Sequence, residues 1–527
     1  MSDGYKPNGE QRAIIAAHRT GESLVVQAGA GTGKTSTLQF MARSTPARKM
    51  LYLAYNKAIQ VDAATKFPSN VTCKTSHGQA YGVIGINYRG RLNGPRVPSR
   101  QAAQILGIVR PETVVDELLG PMVLQPYKLA QLVTRTVDRF CHSADPEVSE
   151  RHVPWVPGLG GAEARAQIEQ LIVPLARAAW KDMLSPDGRL KFTHDAYLKM
   201  YQMSKPRLPF GTILLDEAQD TNECVADIVI SQQERGAQLH LVGDSCQAIY
   251  GWRGAVDFMD KVDGRVLQLT GSYRFGPAIA EEANRWLDLI GSPLRLKGFK
   301  QINSVVDDGS DALAVLTRTN GQSIAEVMAA LERGTRVALV GGGGQIAAMA
   351  RAAAQLQAGG GTEHPELIAF STWDEVVRYT KEDPSGSDLL PFVQMVTAHG
   401  PDAILRATER LSSEEGAELI VSTAHKAKGR EWDSVRIGPD FKVPKDGGVP
   451  PKDEMMLNYV AETRARFALQ RGSLGAIDAI APKPAAVHEE AADPVLAAIA
   501  AGPWAPGELE EFKALLATAP QPRKEEV

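Results

Sequence analysis

Three clusters of residues in this chain combine types that do chemistry together. The first is Ala28-Gly29-Ala30-Gly31-Thr32-Gly33-Lys34-Thr35-Ser36, set between the apolar run Leu24-Val25-Val26 and a helix-compatible run ending Phe40-Met41-Ala42. Glycines let successive backbone N–H groups curl toward one anion, and the N-terminus of a following helix adds partial positive charge. A strand, a glycine loop and a helix in that order cradle nucleotide phosphates. Lys34 is placed to reach the β- and γ-phosphates, and the Thr35 hydroxyl to ligate Mg²⁺. The general pattern opens with glycine, where this chain has Ala28, but the core Gly31-Thr32-Gly33-Lys34-Thr35 is intact.

The second cluster, Leu214-Leu215-Asp216-Glu217-Ala218-Gln219-Asp220, is an apolar strand ending in adjacent carboxylates. Acidic turns after strands are common, and the phosphate loop upstream is what gives this one a chemical meaning. Asp216 is placed to hold Mg²⁺, and Glu217 to polarise an attacking water as general base. An acidic pair favours hydrolysis over transfer to a second substrate. The third cluster follows Leu241-Val242-Gly243-Asp244, where Gln247 falls just past a strand end, with Tyr250, Trp252 and Arg253 beyond it. The Gln247 amide is in position to touch a γ-phosphate. Aromatic faces beside a cation suit single-stranded nucleic acid, at ~1–3 kcal/mol per stacked base. The same spacing also suits a buried aromatic cluster.

Alternating strands and helices must position these residues. Met50-Leu51-Tyr52-Leu53-Ala54 reads as a strand, 56–67 as a helix broken by Pro68-Ser69-Asn70, and 71–74 as extended again. Residues 86–210 contain few β-branched runs and read as a mostly helical insertion, with a helix over 163–182 after a turn at 154–161. The strand rhythm returns at 212–216 and 238–242. A second set of strands is expected at 312–317, 336–340, 419–422 and 434–438. Between them, 345–415 reads as helical and irregular, with a break at Gly359-Gly360-Gly361 and a loop at 383–386. The tail, from 481 on, is rich in Ala and Pro, with one short helix expected over 509–516. The fold class is therefore α/β, with two parallel-sheet cores that each carry an inserted piece. Ligands sit at the carboxyl ends of strands in such sheets.

Composition narrows the rest. At 527 residues the chain exceeds one core, and three or four domains are expected at roughly 150 residues each. A formal net charge of -4 gives no global basic footprint, so any nucleic-acid surface must be a local groove. Cys73, Cys141, Cys224 and Cys246 are scattered without a Cys-x-x-Cys pair, so no zinc or iron–sulfur site is expected, and a reducing interior fits. The first residues lack the apolar stretch of a signal peptide, and no run of about 18 apolar residues offers a membrane span. A cytoplasmic protein with no membrane partner is expected.

Taken together and in order, these stretches resemble the superfamily 1 helicases of the UvrD/Rep type, especially the F-box DNA helicase branch but without an F-box. The likeness covers roughly residues 5–470. Pro7-Asn8-Gly9-Glu10-Gln11 resembles the glutamine motif. Tyr55-Asn56-Lys57-Ala58 resembles motif Ia, and Thr75-Ser76-His77 motif Ib. Asp216 to Asp220 is similar to motif II, Gly243 to Ala255 to motif III, and Ser272-Tyr273-Arg274 to motif IV. Val421 to Trp432 is similar to motif V, and Asn458 to Ala465 to motif VI. The family's phosphate loop commonly begins Ala-Gly-Ala-Gly, which accounts for Ala28.

The resemblance implies two RecA-like cores that use ATP and Mg²⁺. The first core is expected over 1–85 and 211–275, with an insertion at 86–210. The second is expected over 276–345 and 416–480, with a reduced insertion at 346–415, and the tail over 481–527. It further implies that Gln11 reads adenine, Tyr273 stacks on its ring, and Arg274 and Arg464 reach the γ-phosphate. Glu431 helps seat the nucleotide. For DNA it implies base contacts from Tyr55, Tyr250 and Trp252, with Asn56 and Arg253 in the same surface, and backbone contacts from Thr75, His77, Thr423 and His425. For His425 a capping or packing role is the alternative.

Two departures stand out. Motif V reads Lys426-Ala427-Lys428-Gly429-Arg430-Glu431-Trp432, where the family often has Ser-Ala-Lys-Gly-Leu-Glu-Phe. The second insertion is far shorter than in large bacterial members. The tail shows neither a nuclease signature nor an aromatic partner-binding motif. The expected function is a monomeric 3′→5′ DNA helicase or translocase acting on single-stranded and partly duplex DNA. A translocase that strips bound proteins and unwinds weakly is one rival, and a degenerate helicase fold serving as a scaffold is another. A small-molecule P-loop kinase is a third, which the aromatics of motif III do not suit.

Overall fold

A computed structural model describes residues 6–481, apart from 96, 118–119, 158, 252–256, 308, 310, 383–385, 387 and 445–447. Trp252 and Arg253, most of the 383–386 loop and the expected 509–516 helix lie outside the described residues. The chain divides into one compact unit, Met1–Ala476, and a second, Ile477–Val527.

The strands of the first unit are β1 (Leu24–Ala28), β2 (Met50–Ala54), β3 (Val71–Thr75), β4 (Glu112–Asp116), β5 (Gly120–Leu124), β6 (Thr212–Asp216), β7 (Gln238–Gly243) and β8 (Arg265–Leu269). They continue with β9 (Val305–Val306), β10 (Ala314–Thr317), β11 (Val337–Leu339), β12 (Leu419–Thr423), β13 (Trp432–Ile437) and β14 (Ala465–Gln470). One six-stranded sheet has the order β3-β2-β6-β7-β1-β8, another the order β11-β12-β10-β13-β14-β9. The pairings within both are parallel. The chain is thus an α/β protein with two parallel sheets consistent with RecA-like cores.

The first sheet is covered on both faces, and its residues divide by the period-2 alternation of a strand. Val25, Leu51, Leu53, Ile213, Leu215, Leu239 and Leu241 face one cluster, which continues through Phe140, Ile168 and Tyr197 of the 86–210 segment. Leu24, Val26, Met50, Tyr52, Leu214 and Val242 face another, closed by Ile14, Leu38 and Met41 from the helices Gly9–Thr20 and Lys34–Ser44. Fully burying each such side chain is worth about 1.5–3 kcal/mol relative to exposure. This two-sided burial keeps the carboxyl ends of β1, β7 and β6, adjacent in the sheet, in fixed register.

The 86–210 segment has the expected helices, Pro126–His142, Ala162–Leu184 and His194–Met203, but it also contains the antiparallel hairpin β4/β5. Val114 and Asp116 point inward while Thr113 and Val115 are exposed, and the Val115 N–H donates to Gln167 on the long helix at 3.3 Å. Three further strands, β8, β9 and β14, go beyond those expected.

Residues 346–415 share one hydrophobic core with the second sheet. Phe370, Trp373, Tyr379 and Phe392 pack in the same cluster as Val315, Val337 and Val421. The same segment touches the 86–210 region. Buried Lys128 donates through Nζ to the Phe370 carbonyl at 3.2 Å, and Gln131 Nε2 to the Glu363 carbonyl at 2.7 Å. Among the described residues no helix is long and apolar enough to cross a membrane.

Candidate nucleotide and nucleic-acid site

The phosphate loop leaves β1 at Ala28 and enters the helix Lys34–Ser44 through Gly33, whose φ is 80°. Gly31 also has a positive φ, 74°, and a Cβ there would lie 2.6 Å from both Ser272 Oγ and Arg274 Cβ. Glycine is required at this point for conformation and for space. Lys34 Nζ donates to the carbonyls of Ala28 and Gly29 at 3.1 and 3.4 Å, so its ammonium stands over the loop.

Thr35 Oγ1 donates to Asp216 Oδ2 at 3.0 Å, and the Tyr52 hydroxyl donates to the same oxygen at 2.8 Å. The two residues expected at Mg²⁺ therefore meet across 181 positions of sequence. A hydroxyl and a carboxylate are the oxygen ligands a hard cation takes. Burial, and then the charge of Glu217, push the Asp216 carboxyl up to about 6.

Glu217 turns the chain at the end of β6 in a left-handed conformation, φ 51° and ψ 47°. For a residue with a Cβ this costs of order 1–3 kcal/mol, a strain typical of functional turns. Its Oε2 accepts from Gln219 Nε2 at 2.7 Å. Burial alone would raise the Glu217 pKa. Lys34, Lys428, the Gln219 bond and Arg464 outweigh it and hold the carboxyl below its ordinary value. That direction favours the charged, proton-accepting form of the carboxyl.

On the adenine side, buried Gln11 closes a capping box. Its Oε1 accepts from Asn8 N at 3.0 Å, and its Nε2 donates to Thr37 Oγ1 at 3.1 Å. The carboxamide expected to read adenine is here engaged by the protein's own groups. Asn8 Nδ2 donates to the Tyr273 hydroxyl at 3.1 Å, and Tyr273 N donates to Gly31 O at 2.8 Å. Gln11 and Tyr273 thus lie together beside the loop.

The second sheet's residues close on this site. Arg274 Nε donates to Glu431 Oε2 at 2.7 Å and its Nη1 to Thr463 O at 2.9 Å. Arg464 is buried; its Nη2 donates to Gln247 Oε1 at 3.3 Å and its Nε to Val460 O at 2.8 Å. Burial first, then the charge of Arg274, push the Arg464 pKa down. Lys428 Nζ meets the Asp220 carboxylate, donates to Gln247 O, and lies 5.0 Å from the Tyr250 ring centroid.

On the nucleic-acid side, a cavity of about 380 Å³ is lined by Tyr55, His77, Asp195, Asp216, Asn222 and Tyr250, among others. It runs from the end of β6 to Tyr55 and Tyr250. Tyr55 is 47% exposed. His77 Nε2 and Asp195 Oδ1 are 2.8 Å apart. The Tyr250 hydroxyl donates to the backbone oxygen of His425 at 2.9 Å, which ties one expected DNA residue to another across the cleft. Three further expected contacts spend their side chains on helix N-caps. Asn56 Oδ1 accepts from Ile59 N, Thr75 Oγ1 from Gly78 N, and Thr423 Oγ1 from Lys426 N. These caps sit just after β2 and at the ends of β3 and β12, a reason for polar residues there that needs no DNA.

Several residues of the site carry no role in the sequence pattern alone. Tyr459, Asp244, Asp220, Lys428 and Tyr52 all make bonds within it. All but Tyr52 fall inside stretches already singled out. The signal was their position in a motif, and residue type alone did not separate them from neighbours.

The model of the UvrD/REP helicase N-terminal domain matches residues 188–262. The chain is 30% identical over 508 residues to F-box DNA helicase protein 1 of Schizosaccharomyces pombe, covering 87% of this chain and 56% of that protein. It is 29% identical over 503 residues to F-box DNA helicase 1 of Gallus gallus, covering 87% and 48%. Against DNA helicase IV of Escherichia coli the identity is 26% over 355 residues, covering 58% and 50%. The chain spans about half the length of these curated relatives. Together with the phosphate loop, the acidic strand end and the arginine that meet between two parallel sheets, these likenesses support a UvrD-like superfamily 1 helicase.

Proposed function

We propose that the chain hydrolyses ATP in the cleft between its two cores and uses the cycle to move 3′→5′ along single-stranded DNA, separating duplex ahead of it as a monomer. The observation that carries this reading is the buried contact of Arg464 with Gln247, which brings a cation of the second core to the residue expected at the γ-phosphate. Water attacks the γ-phosphorus, Glu217 takes the water's proton, the bond to the bridging oxygen breaks, and ADP and phosphate leave. Arg274 and Arg464 offset the charge that gathers on the transferred group, and a finger of this kind contributes ~10³–10⁵ in rate. Thr35 and Asp216 would hold Mg²⁺, which neutralises phosphate charge. Because Arg464 and Lys428 come from the second core, hydrolysis requires closure. Opening afterwards passes the strand from Tyr250 toward the residues of β12. The domain division is the one given by the motifs, with cores at 1–85 plus 211–275 and 276–345 plus 416–480.

A second reading, a translocase that strips proteins and unwinds poorly, is favoured by the merging of residues 346–415 into the second core. The test is steady-state ATPase with no nucleic acid, single-stranded DNA, duplex DNA and RNA, followed by strand-displacement and protein-displacement assays. Strong stimulation by single-stranded DNA supports the proposal. An ATPase indifferent to every nucleic acid would refute it, and displacement of protein without strand separation would favour the second reading.

A further inference from the structure

Tyr459 sits on the helix Lys452–Glu462 of the second core and is fully buried. Its hydroxyl faces the first core at two places. It accepts from Ala30 N in the phosphate loop at 3.3 Å and donates to Asp244 Oδ2 at 2.9 Å. Asp244 is itself buried, and the same Oδ2 accepts from Gln247 Nε2 at 2.7 Å. The other end of the Gln247 carboxamide, Oε1, accepts from Arg464 Nη2. Asp244 N donates to Gln219 Oε1 at 3.0 Å, and Gln219 Nε2 donates to Glu217.

One hydrogen-bond chain thus runs from the loop through Tyr459, Asp244 and Gln247 to Arg464, with a branch to the Glu217 carboxylate. Each bond fixes the next. A carboxamide can face either way, and both Asp244 oxygens accept here, Oδ1 from Cys246 N and Oδ2 from Tyr459 and Gln247, so the carboxylate takes the Nε2 end and leaves Oε1 toward the arginine. Asp244 in turn accepts from a phenol carried by the second core.

We propose that Tyr459 is a positioning residue for hydrolysis. Its hydroxyl orients Asp244, and through it the Gln247 carboxamide, and it does so only when the second core is seated on the phosphate loop. The signal for closure is therefore read at the loop's Ala30 N–H as well as at Arg464. This rests on the ATPase reading above. The bland alternative is a buried phenol that merely fills space between the cores.

The experiment uses the full chain with Tyr459→Phe, which keeps the ring and removes the hydroxyl. ATPase kinetics are measured with single-stranded DNA, alongside binding of a fluorescent ATP analogue and thermal melting. A misplacement of about 1 Å at the reacting groups costs about 10²-fold. We expect kcat to fall by that factor with KM and analogue affinity nearly unchanged, the pattern of a loss felt in the transition state. Asp244→Asn should show the same selective loss, and the double variant should be no worse than either single one. A wild-type kcat in Tyr459→Phe, a rise in KM alone, or multiplying losses in the double variant would overturn the inference. If Tyr459→Phe melts far below wild type, Asp244→Asn, which keeps the phenol, decides by the same criterion. A wild-type chain without ATPase activity would instead remove the enzymatic reading itself.

Discussion

Lys428 of the second core and Asp220 of the first form an ion pair across the cleft, with Nζ 2.6 and 2.7 Å from the two carboxylate oxygens and both side chains under 10% exposed. The same ammonium donates to the Gln247 carbonyl and lies against the Tyr250 ring. One group therefore touches the acidic motif, the glutamine expected at the γ-phosphate, and the aromatic expected at DNA. Burial pushes the Lys428 pKa down and the Asp220 carboxyl up to about 6, each opposed by the attraction of the other. The pair holds because both charges are present.

Lys428→Met should therefore do more than remove one contact. It leaves Asp220 buried beside Glu217 without its counter-charge, and breaking such a pair costs about 3–5 kcal/mol of the closed arrangement. Stimulation of ATPase by single-stranded DNA should collapse. Adding Asp220→Asn should restore part of the lost stability, since no lone charge remains. DNA-titrated ATPase and thermal melting check this. Full stimulation in Lys428→Met would show that the ion pair does not couple the two sites.

Glu217→Gln keeps the shape of the turn and the partner at Gln219 but loses the proton acceptor. ATP binding should be close to wild type, while turnover falls by about 10²–10⁴, the contribution of a positioned base. Lys34→Ala should weaken nucleotide binding as well. Equilibrium binding and single-turnover hydrolysis separate these effects. Wild-type turnover in Glu217→Gln would move the base to another residue.

The parts of the site that were legible in sequence are those whose signal is local. A glycine loop after an apolar run, or two carboxylates at a strand end, carries its meaning within a few residues, and Thr35 and Asp216 meet as that reading requires. The bonds that join the cores were not legible, because Tyr459 and Asp244 are 215 positions apart and Lys428 and Asp220 are 208. No spacing rule connects such pairs. Asn56, Thr75 and Thr423 show a different failure, since a polar residue after a strand serves a helix cap and a ligand equally well. In the fold, β8 and β14 are hard to see in sequence because Gln268 and Arg466 interrupt their apolar pattern, and β4/β5 because Pro121 and acidic residues mask a hairpin among helices.

Acid sensitivity should have a component from a buried histidine pair, His18 and His240. His18 Nδ1 and His240 Nε2 are 2.9 Å apart, and His18 Nε2 is 2.8 Å from Thr45 Oγ1. Burial first, then Arg48, lowers the His18 pKa to about 4; burial, then His18 and Arg48, holds His240 well below 6.5. Both folded values lie below the unfolded value of 6.5. The unfolded chain therefore binds more protons between pH 6.5 and 4, and stability present above 6.5 is lost as pH falls through that window. The limiting slope is about 1.4 kcal/mol per pH unit for each histidine. Asp138 and Asp220, raised to about 6, act in the opposite direction over part of the window. The readout is thus the difference between wild type and His240→Leu in denaturant unfolding at pH 7.5, 6 and 5. The variant should show a shallower fall, and identical slopes would exclude the pair.

Tyr250 joins two functions that substitution can separate. Its hydroxyl bonds to the His425 backbone across the cleft, and its ring lies under Lys428 beside the cavity that Tyr55 and His77 also line. Tyr250→Phe removes only the hydroxyl, worth about 0.5–1.5 kcal/mol as a net hydrogen bond. It should lower DNA-stimulated turnover modestly and leave single-stranded DNA affinity nearly intact. Tyr250→Ala also removes the stacking face, and should cost about 1–3 kcal/mol of DNA affinity. The salt dependence of binding should stay the same in both variants, because no phosphate contact is lost. Fluorescence anisotropy at several salt concentrations, with melting as a fold control, measures each quantity. If Tyr250→Ala is folded and binds single-stranded DNA as tightly as wild type, the ring packs against Lys428 for structure alone, and the track for the strand must lie on other side chains.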